Sequence, residues 1–317
     1  MIRFSALGDV AMAVPVVRTL AEQHPDVTVT VLSQPKMADL FAAMPANVCF
    51  HGADIKKQSL RAIVAGLGRF DMVADLHGVW RSLYIRTALR LRGARVATIR
   101  KGRFSKFLLT HGWIRKPLKH TTLRYADVLQ RLGLPIRLPR FACKSDGQGI
   151  GIAPFAAHQG KIYPLDRTEQ IVAHLSRQGE KILLFGGGKK EQELLSEWAA
   201  RYPNVQSVAG LHSLREELEI MRGLRLMLTM DSANLHLASL VGTRVVSVWG
   251  ATHPFAGFTG IGQSPDDCVQ RDLNCRPCSI YGNKPCKYGD YRCLHIAPED
   301  IIAKLHNDQT QGTKDVY

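Results

Sequence analysis

Apolar positions along this chain fall into short continuous runs that alternate with runs at helical spacing, and the alternation occurs twice. In the first half, apolar runs at 1–4, 27–32, 48–50, 71–76 and 95–99 predict buried parallel strands. Between them, helical spacing at 10–22, 35–44, 59–67, 80–92 and 121–132 predicts helices. In the helix at 80–92, Arg81, Arg86, Arg90 and Arg92 lie mostly off the apolar face. The second half predicts strands at 150–153, 181–185, 205–208, 224–229 and 243–249. Its helices fall at 165–177, from the glycines 186–188 to about 202, at 213–222, at 234–241 and at 298–306. The stretch 133–149, with Pro135 and Pro139, reads as a linker. Strand alternating with helix implies parallel sheets covered by helices. The expected architecture is therefore α/β, with two Rossmann-like domains, 1–145 and 146–317, facing across a cleft. The first strand is very short, which suggests that the natural start lies a few residues upstream.

The chemistry gathers where predicted strands give way to helices. The stretch 228–253 reads as strand, helix, strand and loop. An open parallel sheet binds ligands at the carboxyl edge of its strands, and a helix starting there turns free N–H groups and a positive dipole end toward an anion. Asp231, Ser232, His236 and Thr252 are the polar groups of this unit, and they would suit a phosphate-bearing ligand. A capped helix with a satisfied histidine accounts for the same spacing. In the first half, Asp9 stands at a strand-to-helix turn of the same kind, where helix capping is its plainest role. Lys161 lies in the loop after the strand at 150–153. Gly186, Gly187 and Gly188 would let backbone approach a ligand closely. They fit neither a P-loop nor a G-x-G-x-x-G dinucleotide loop.

Composition narrows the class. The chain is 45% hydrophobic and 22% charged, as soluble globular proteins are. No apolar run approaches a membrane span and no signal peptide is evident, so a cytoplasmic location is expected. The net charge of +15 is uneven: residues 1–145 carry +16 and the remainder −1. This asymmetry points to an anionic partner for the first half, whether nucleic acid, an anionic membrane face or a phosphorylated substrate. At 100–119 the regular pattern fades into a loop where basic residues, Lys101, Arg103 and Lys106 among them, alternate with Phe104, Phe107 and Trp113. Such a loop would meet an acceptor or a membrane surface. Near the end, Cys275, Cys278, Cys286 and Cys293 form C-x2-C-x7-C-x6-C, which fits either a structural zinc site or a thiol-rich packed loop.

Three segments, RFSALGDVAMAVPVVRTL, MDSANLHLASLVGTRVVSVWGATHP and the CRPC…KPC…YRCL tail, together resemble glycosyltransferase family 9, the ADP-heptose:lipopolysaccharide heptosyltransferases and their relatives. The resemblance covers essentially the whole chain. It implies a GT-B fold, with the acceptor held mainly by the first domain and the nucleotide sugar by the second. It also implies inverting, metal-independent transfer to the lipopolysaccharide inner core, with no cofactor needed for catalysis. Peripheral contact with the inner membrane follows from a lipid-linked, anionic acceptor. By this resemblance Asp9 matches the catalytic base, and Lys161 the lysine that binds phosphate and donor sugar. Asp231, Ser232, Ala233, Asn234 and His236 match the D-[ST]-x-x-x-H segment around diphosphate and sugar, while Glu191 falls near the ribose-binding acid. Gly187 and Thr252 complete the expected donor site, and Lys101, Arg103 and Lys106 the expected acceptor surface. Phe155, Ala156 and Ala157 stand where hydroxyl residues often hold phosphate in the family, which leaves the choice of nucleotide sugar open. A basic nucleic-acid-binding protein would explain the charge and the cysteines but leave both α/β halves unused.

Overall fold

The computed structural model describes residues 1–143 and 146–307, so part of the expected linker and the polar tail from 308 onward lie outside the described residues. The chain forms two compact units. The first comprises Met1–Gly102 and Lys119–Pro139; the second comprises Arg103–Leu118 and the chain from Arg140 onward. The junction at 139/140 lies near the expected boundary at 145. Arg103–Leu118, expected in the first domain, instead folds with the second.

The first part of the chain runs α1 (Leu7–Ala11), α2 (Val14–Gln23), β1 (Val29–Ser33), β2 (Val48–Gly52), α3 (Leu60–Gly66), β3 (Met72–Asp75), α4 (Trp80–Leu91) and β4 (Arg95–Thr98). Then follow α5 (Arg103–Thr110), which belongs to the second unit, and α6 (Thr121–Gln130). Strands β1 and β2 pair in parallel, as do β3 and β4. Ile2 bridges to both Leu32 and Asp75 and so lies between the pairs. Ile2, Phe4, Leu32, Val73 and Ile85 are core residues of this unit.

Three local expectations need correction. The single helix expected at 10–22 is broken into α1 and α2. Pro15, in the first turn of α2, has no N–H, and its ring would crowd the carbonyl of Ala11, where α1 stops. The segment expected as a helix at 35–44 is a 3-10 turn, Pro35–Phe41. The loop expected at 100–119 contains the helix α5. Its buried positions are Lys106 and Leu109, three residues apart, so a lysine stem occupies what would otherwise read as an apolar position.

The second unit continues with β5 (Ile150–Ala153), α7 (Leu165–Arg177), β6 (Ile182–Leu184), α8 (Lys189–Arg201), β7 (Val205–Ser207) and α9 (Leu214–Arg222). It ends with β8 (Leu226–Met230), α10 (Ala233–Leu240), β9 (Arg244–Trp249), β10 (Cys268–Gln270) and α11 (Pro298–His306). Six parallel strands lie in the order β10-β9-β8-β5-β6-β7. Strand β10 is an edge strand of three residues with no apolar run to announce it. Ile152, Leu228 and Val246 on the sheet and Trp198 on α8 are buried core residues. The Arg244 guanidinium makes two bonds to the Asp267 carboxylate, at 3.0 and 2.7 Å, and donates to Lys304 O, which ties α11 to the sheet. The chain enters the sheet at β5, runs outward to β7, then crosses back to β8 on the other side of β5. The carboxyl edge between β5 and β8 is thus a topological switch point, where open parallel sheets hold their ligands.

Candidate functional site

In the second unit, the two loops at the switch point carry an ion pair. Lys161 closes the 3-10 turn Gln159–Lys161 after β5, and Asp231 follows β8. Lys161 Nζ lies 3.0 Å from Asp231 Oδ2, with the two side chains 14% and 7% exposed. Desolvation makes such a pair costly unless each charge is well met. Asp231 therefore holds a lysine at the sheet edge rather than capping the next helix. Ser232 occupies the N-cap of α10 but makes no capping bond, and its hydroxyl lies 3.1 Å from that of Thr229. The first turn of α10, with Ala233 and Asn234, thus presents its N–H end without a side-chain cap, and His236 is buried one turn further in.

The loop after β9 joins the same place. Ala251 N–H donates to Gly160 O at 2.7 Å, fastening this loop to the turn that carries Lys161. Thr252 is fully buried, and its Oγ1 has no hydrogen-bond partner among the described residues. A buried hydroxyl without a partner is expensive in a finished core, and it is a group that a ligand's oxygen could satisfy.

The cysteine-rich tail forms a wall of this site, a role that no local motif announces. At Gly282 (φ +76°) an added Cβ would come within 2.5 Å of Lys161 Cγ and 3.6 Å of Thr252 Cγ2. Ser279 N–H donates to Ala251 O. Arg276 is buried and donates to Gly250 O at 2.5 Å, Thr252 O at 2.9 Å and Trp249 O at 3.0 Å, holding the loop that carries Thr252. The four cysteines are free thiols, and no group of three or more His, Cys, Asp and Glu side chains is placed to hold a metal ion among the described residues. Cys278 Sγ lies near Ala251 O and Cys286 Sγ near the Asp290 carboxylate, and the four thiols are close enough together to act on one another electrostatically.

Gly187 and Glu191 lie after β6, the next strand along the same edge. Glu191 Oε2 accepts from Gly187 N–H at 2.8 Å. The glycine run is thus stapled to the first turn of α8. Beyond His253 lies a cavity of about 360 Å³, with Ile114, Arg115, Arg271 and Arg276 among its lining residues. His253 is pushed down to about 4, first by burial and then by the Arg276 guanidinium. Three arginines against the single carboxylate of Asp272 leave the lining net positive.

The expected acceptor residues do not form one open basic surface. In the first unit, Lys101 packs against the Gly78 backbone, where an added Cβ would lie 3.2 Å from its Cε. Arg103 is exposed at the start of α5. Lys106 is buried in the second unit, its Nζ 4.5 Å from the Phe258 ring centroid and 5.4 Å from that of Tyr281. Further bonds hold this segment there: Leu118 N–H donates to Phe255 O, and Arg115 to Asn274 Oδ1 at 2.8 Å.

Asp9 lies on α1 in the first unit and is held from two sides. Its Oδ2 pairs with Arg3 Nη2 at 2.5 Å and accepts from Ala6 N–H at 3.2 Å. Arg3 also donates to Leu76 O at 2.8 Å, which fixes the guanidinium to the end of β3. The carboxylate is 29% exposed, open enough to meet a reactant. His77, just past β3, is pushed down to about 4 by burial and then by Arg3, so it is neutral at ordinary pH. Its Nδ1 is buried without a hydrogen-bond partner among the described residues.

Comparison with known proteins bears on these features directly. The sequence model of glycosyltransferase family 9 (heptosyltransferase) matches residues 62–289. The chain is 21% identical over 308 residues to lipooligosaccharide heptosyltransferase 2 of Campylobacter jejuni subsp. jejuni serotype O:2, covering 95% of each protein. It is 23% identical over 281 residues to lipopolysaccharide heptosyltransferase 3 of Escherichia coli, covering 77% of this chain and 81% of that protein. The solved structure of the E. coli ADP-heptose lps heptosyltransferase II shares its α/β, GT-B-type fold with a TM-score of 0.69 at 19% identity, over 96% of each chain. With a match over most of its length, and Asp231 and its neighbours inside the matched region, the chain is a glycosyltransferase that belongs to glycosyltransferase family 9.

Proposed function

We propose that the protein transfers heptose from ADP-heptose to the lipopolysaccharide inner core, with inversion at the anomeric carbon. The observation that carries this reading is the Lys161–Asp231 pair at the switch point, beside the uncapped start of α10 and the buried Thr252 hydroxyl. Breaking the bond from the anomeric carbon to diphosphate leaves negative charge on the departing oxygens. A lysine and helix N–H groups fixed before the reaction stabilise that charge without reorganising. The acceptor hydroxyl oxygen forms the new bond to the anomeric carbon, the bond to diphosphate breaks, and ADP leaves. The hydroxyl proton passes to the Asp9 carboxylate, whose orientation Arg3 and Ala6 N–H hold. Gly187 and Glu191 would contact the ribose side of the nucleotide. The acceptor, as a lipid-linked sugar, brings the enzyme to a membrane surface.

A second reading keeps the site and changes the donor. Phe155 and Ala156 pack against the core of the second unit, so this loop offers apolar contacts where hydroxyls would hold phosphate. A thermal-shift screen of nucleotides and nucleotide sugars tests both readings. A ligand present at 100 times its Kd adds about 2.7 kcal/mol of stability. Stabilisation by ADP and ADP-heptose above other nucleotides is expected. The largest shift with a different base or sugar would replace the donor while leaving the transfer chemistry in place.

A further inference from the structure

Helix α4 of the first unit carries two apolar faces where one would suffice. Ser82, Ile85 and Leu89 are buried against the unit. On the opposite face, Trp80, Leu83, Tyr84 and Leu91 are 66%, 48%, 46% and 85% exposed. They recur at i, i+3, i+4 and i+11, which a helix of 3.6 residues per turn places in one stripe. Scattered exposed apolar residues are ordinary, whereas a stripe along one helix, interrupted here by Thr87 between Tyr84 and Leu91, marks a contact surface.

The charges around the stripe identify the partner. Arg81 and Arg92 flank it on one side, Arg86 and Arg90 on the other. Arg81 stacks over Trp80 at 5.0 Å from the ring centroid, which keeps a cation at the stripe's edge. Arg86 is neutralised by Asp75 at 2.8 Å and Arg92 donates to Val64 O and Leu67 O, which leaves the half-buried Arg81 and the exposed Arg90 as the flanking charges. From Asp75 to Asp127 the sequence has no acidic residue at all. An apolar stripe bordered by cations, with aromatic rings among its members, matches the boundary between anionic headgroups and acyl chains. A second copy of this helix would oppose like charges across the contact and is disfavoured.

We infer that α4 is a membrane-docking helix that lies in the plane of an anionic lipid leaflet, with Trp80, Leu83, Tyr84 and Leu91 entering the acyl boundary. This deepens the membrane contact proposed above, while its test stands apart from sugar transfer, because lipid binding is measured without nucleotide or acceptor. The test is flotation of the full chain with vesicles of phosphatidylcholine alone or with about a quarter phosphatidylglycerol. Binding to the anionic vesicles only, weakened by salt, is expected. Each basic side chain near an anionic surface contributes about fivefold to partitioning, so R81Q with R90Q should lower it by on the order of tenfold or more. L83S with L91S should do at least as much while the thermal midpoint stays that of the parent. Brominated acyl chains should quench Trp80, and the W80F variant should lose that part of the quenching. Wild-type partitioning by both double variants would overturn the inference, as would equal binding to uncharged vesicles. So would a concentration-dependent dimer that L83S with L91S abolishes, since the stripe would then join two copies.

Discussion

Asp9 and Thr252 show how much one side chain can report. Asp9→Asn keeps the shape of the Arg3 and Ala6 contacts but removes the proton acceptor. Turnover is expected to fall by on the order of 100-fold, with ADP binding within a few-fold of the parent. Turnover close to that of the parent would remove Asp9 as the base. Thr252→Val separates a ligand role from a structural one. The hydroxyl makes no hydrogen bond among the described residues, so replacing it with a methyl should leave the thermal midpoint equal or higher. ADP affinity should drop by about 10- to 100-fold, the worth of one hydrogen bond to a charged group. Calorimetry and thermal melts on the same variant decide it; a destabilised protein with unchanged affinity would make the hydroxyl structural. Asp9, Lys161 and Asp231 stand out in the sequence because their residue types sit where a strand run stops, while the roles proposed for Asp9 and Lys161 come from the family resemblance. Arg276 and Gly282 do not stand out, since nothing local in the tail shows that it folds back over the loop after β9.

At the scale of elements, the alternation of apolar runs located nearly every strand and helix, because burial of one face imposes a period on the sequence. The misses have separate causes. Pro15 divided a helix, a 3-10 turn replaced another, and β10 was too short to carry a pattern. Helix α5 was hidden because a buried lysine reads as a surface residue. Lys106 makes this testable, as its ammonium lies over Phe258 and Tyr281. Lys106→Gln should destabilise the protein by about 1–2 kcal/mol, the range of a desolvated cation–π contact. Lys106→Met, of similar volume and able to pack on both rings, should restore most of that. If instead Lys106→Gln melts like the parent and only the acceptor KM rises, the side chain acts on substrate and its burial is incidental.

For the whole molecule, the charge asymmetry is milder than the linear sequence suggests. Moving Arg103–Leu118 to the second unit and ending the first at Pro139 leaves net charges of +10 and +5. The first unit remains the more basic; if it receives the acceptor and the largely buried Lys161–Asp231 pair receives the donor, as proposed above, salt should raise the acceptor KM more than the donor KM. Equal shifts in both would mean that the basic unit does not capture acceptor. Acid should act on both units together. His77 and His253 are each held neutral, with values pushed from 6.5 to about 4. The unfolded chain takes up these protons below about pH 6.5 and the folded chain only near 4. Stability contributed by the neutral rings is therefore intact above 6.5 and lost progressively as pH falls toward 4. Urea midpoints at pH 7 and pH 5 should differ by less in the His77→Gln, His253→Gln double variant than in the parent.

The path of Arg103–Leu118 bears on how such a protein can be recombined. The chain passes from one unit to the other at 102/103, at 118/119 and at 139/140, so no single crossover separates them. A hybrid gene that joined residues 1–143 to the later portion of a relative would deliver α5, with Lys106, to a body lacking this chain's Phe258 and Tyr281. Modularity here is spatial and not linear. Exchanging the second unit between relatives would require transplanting two separate stretches of sequence together, and drift in one of them constrains drift in the other.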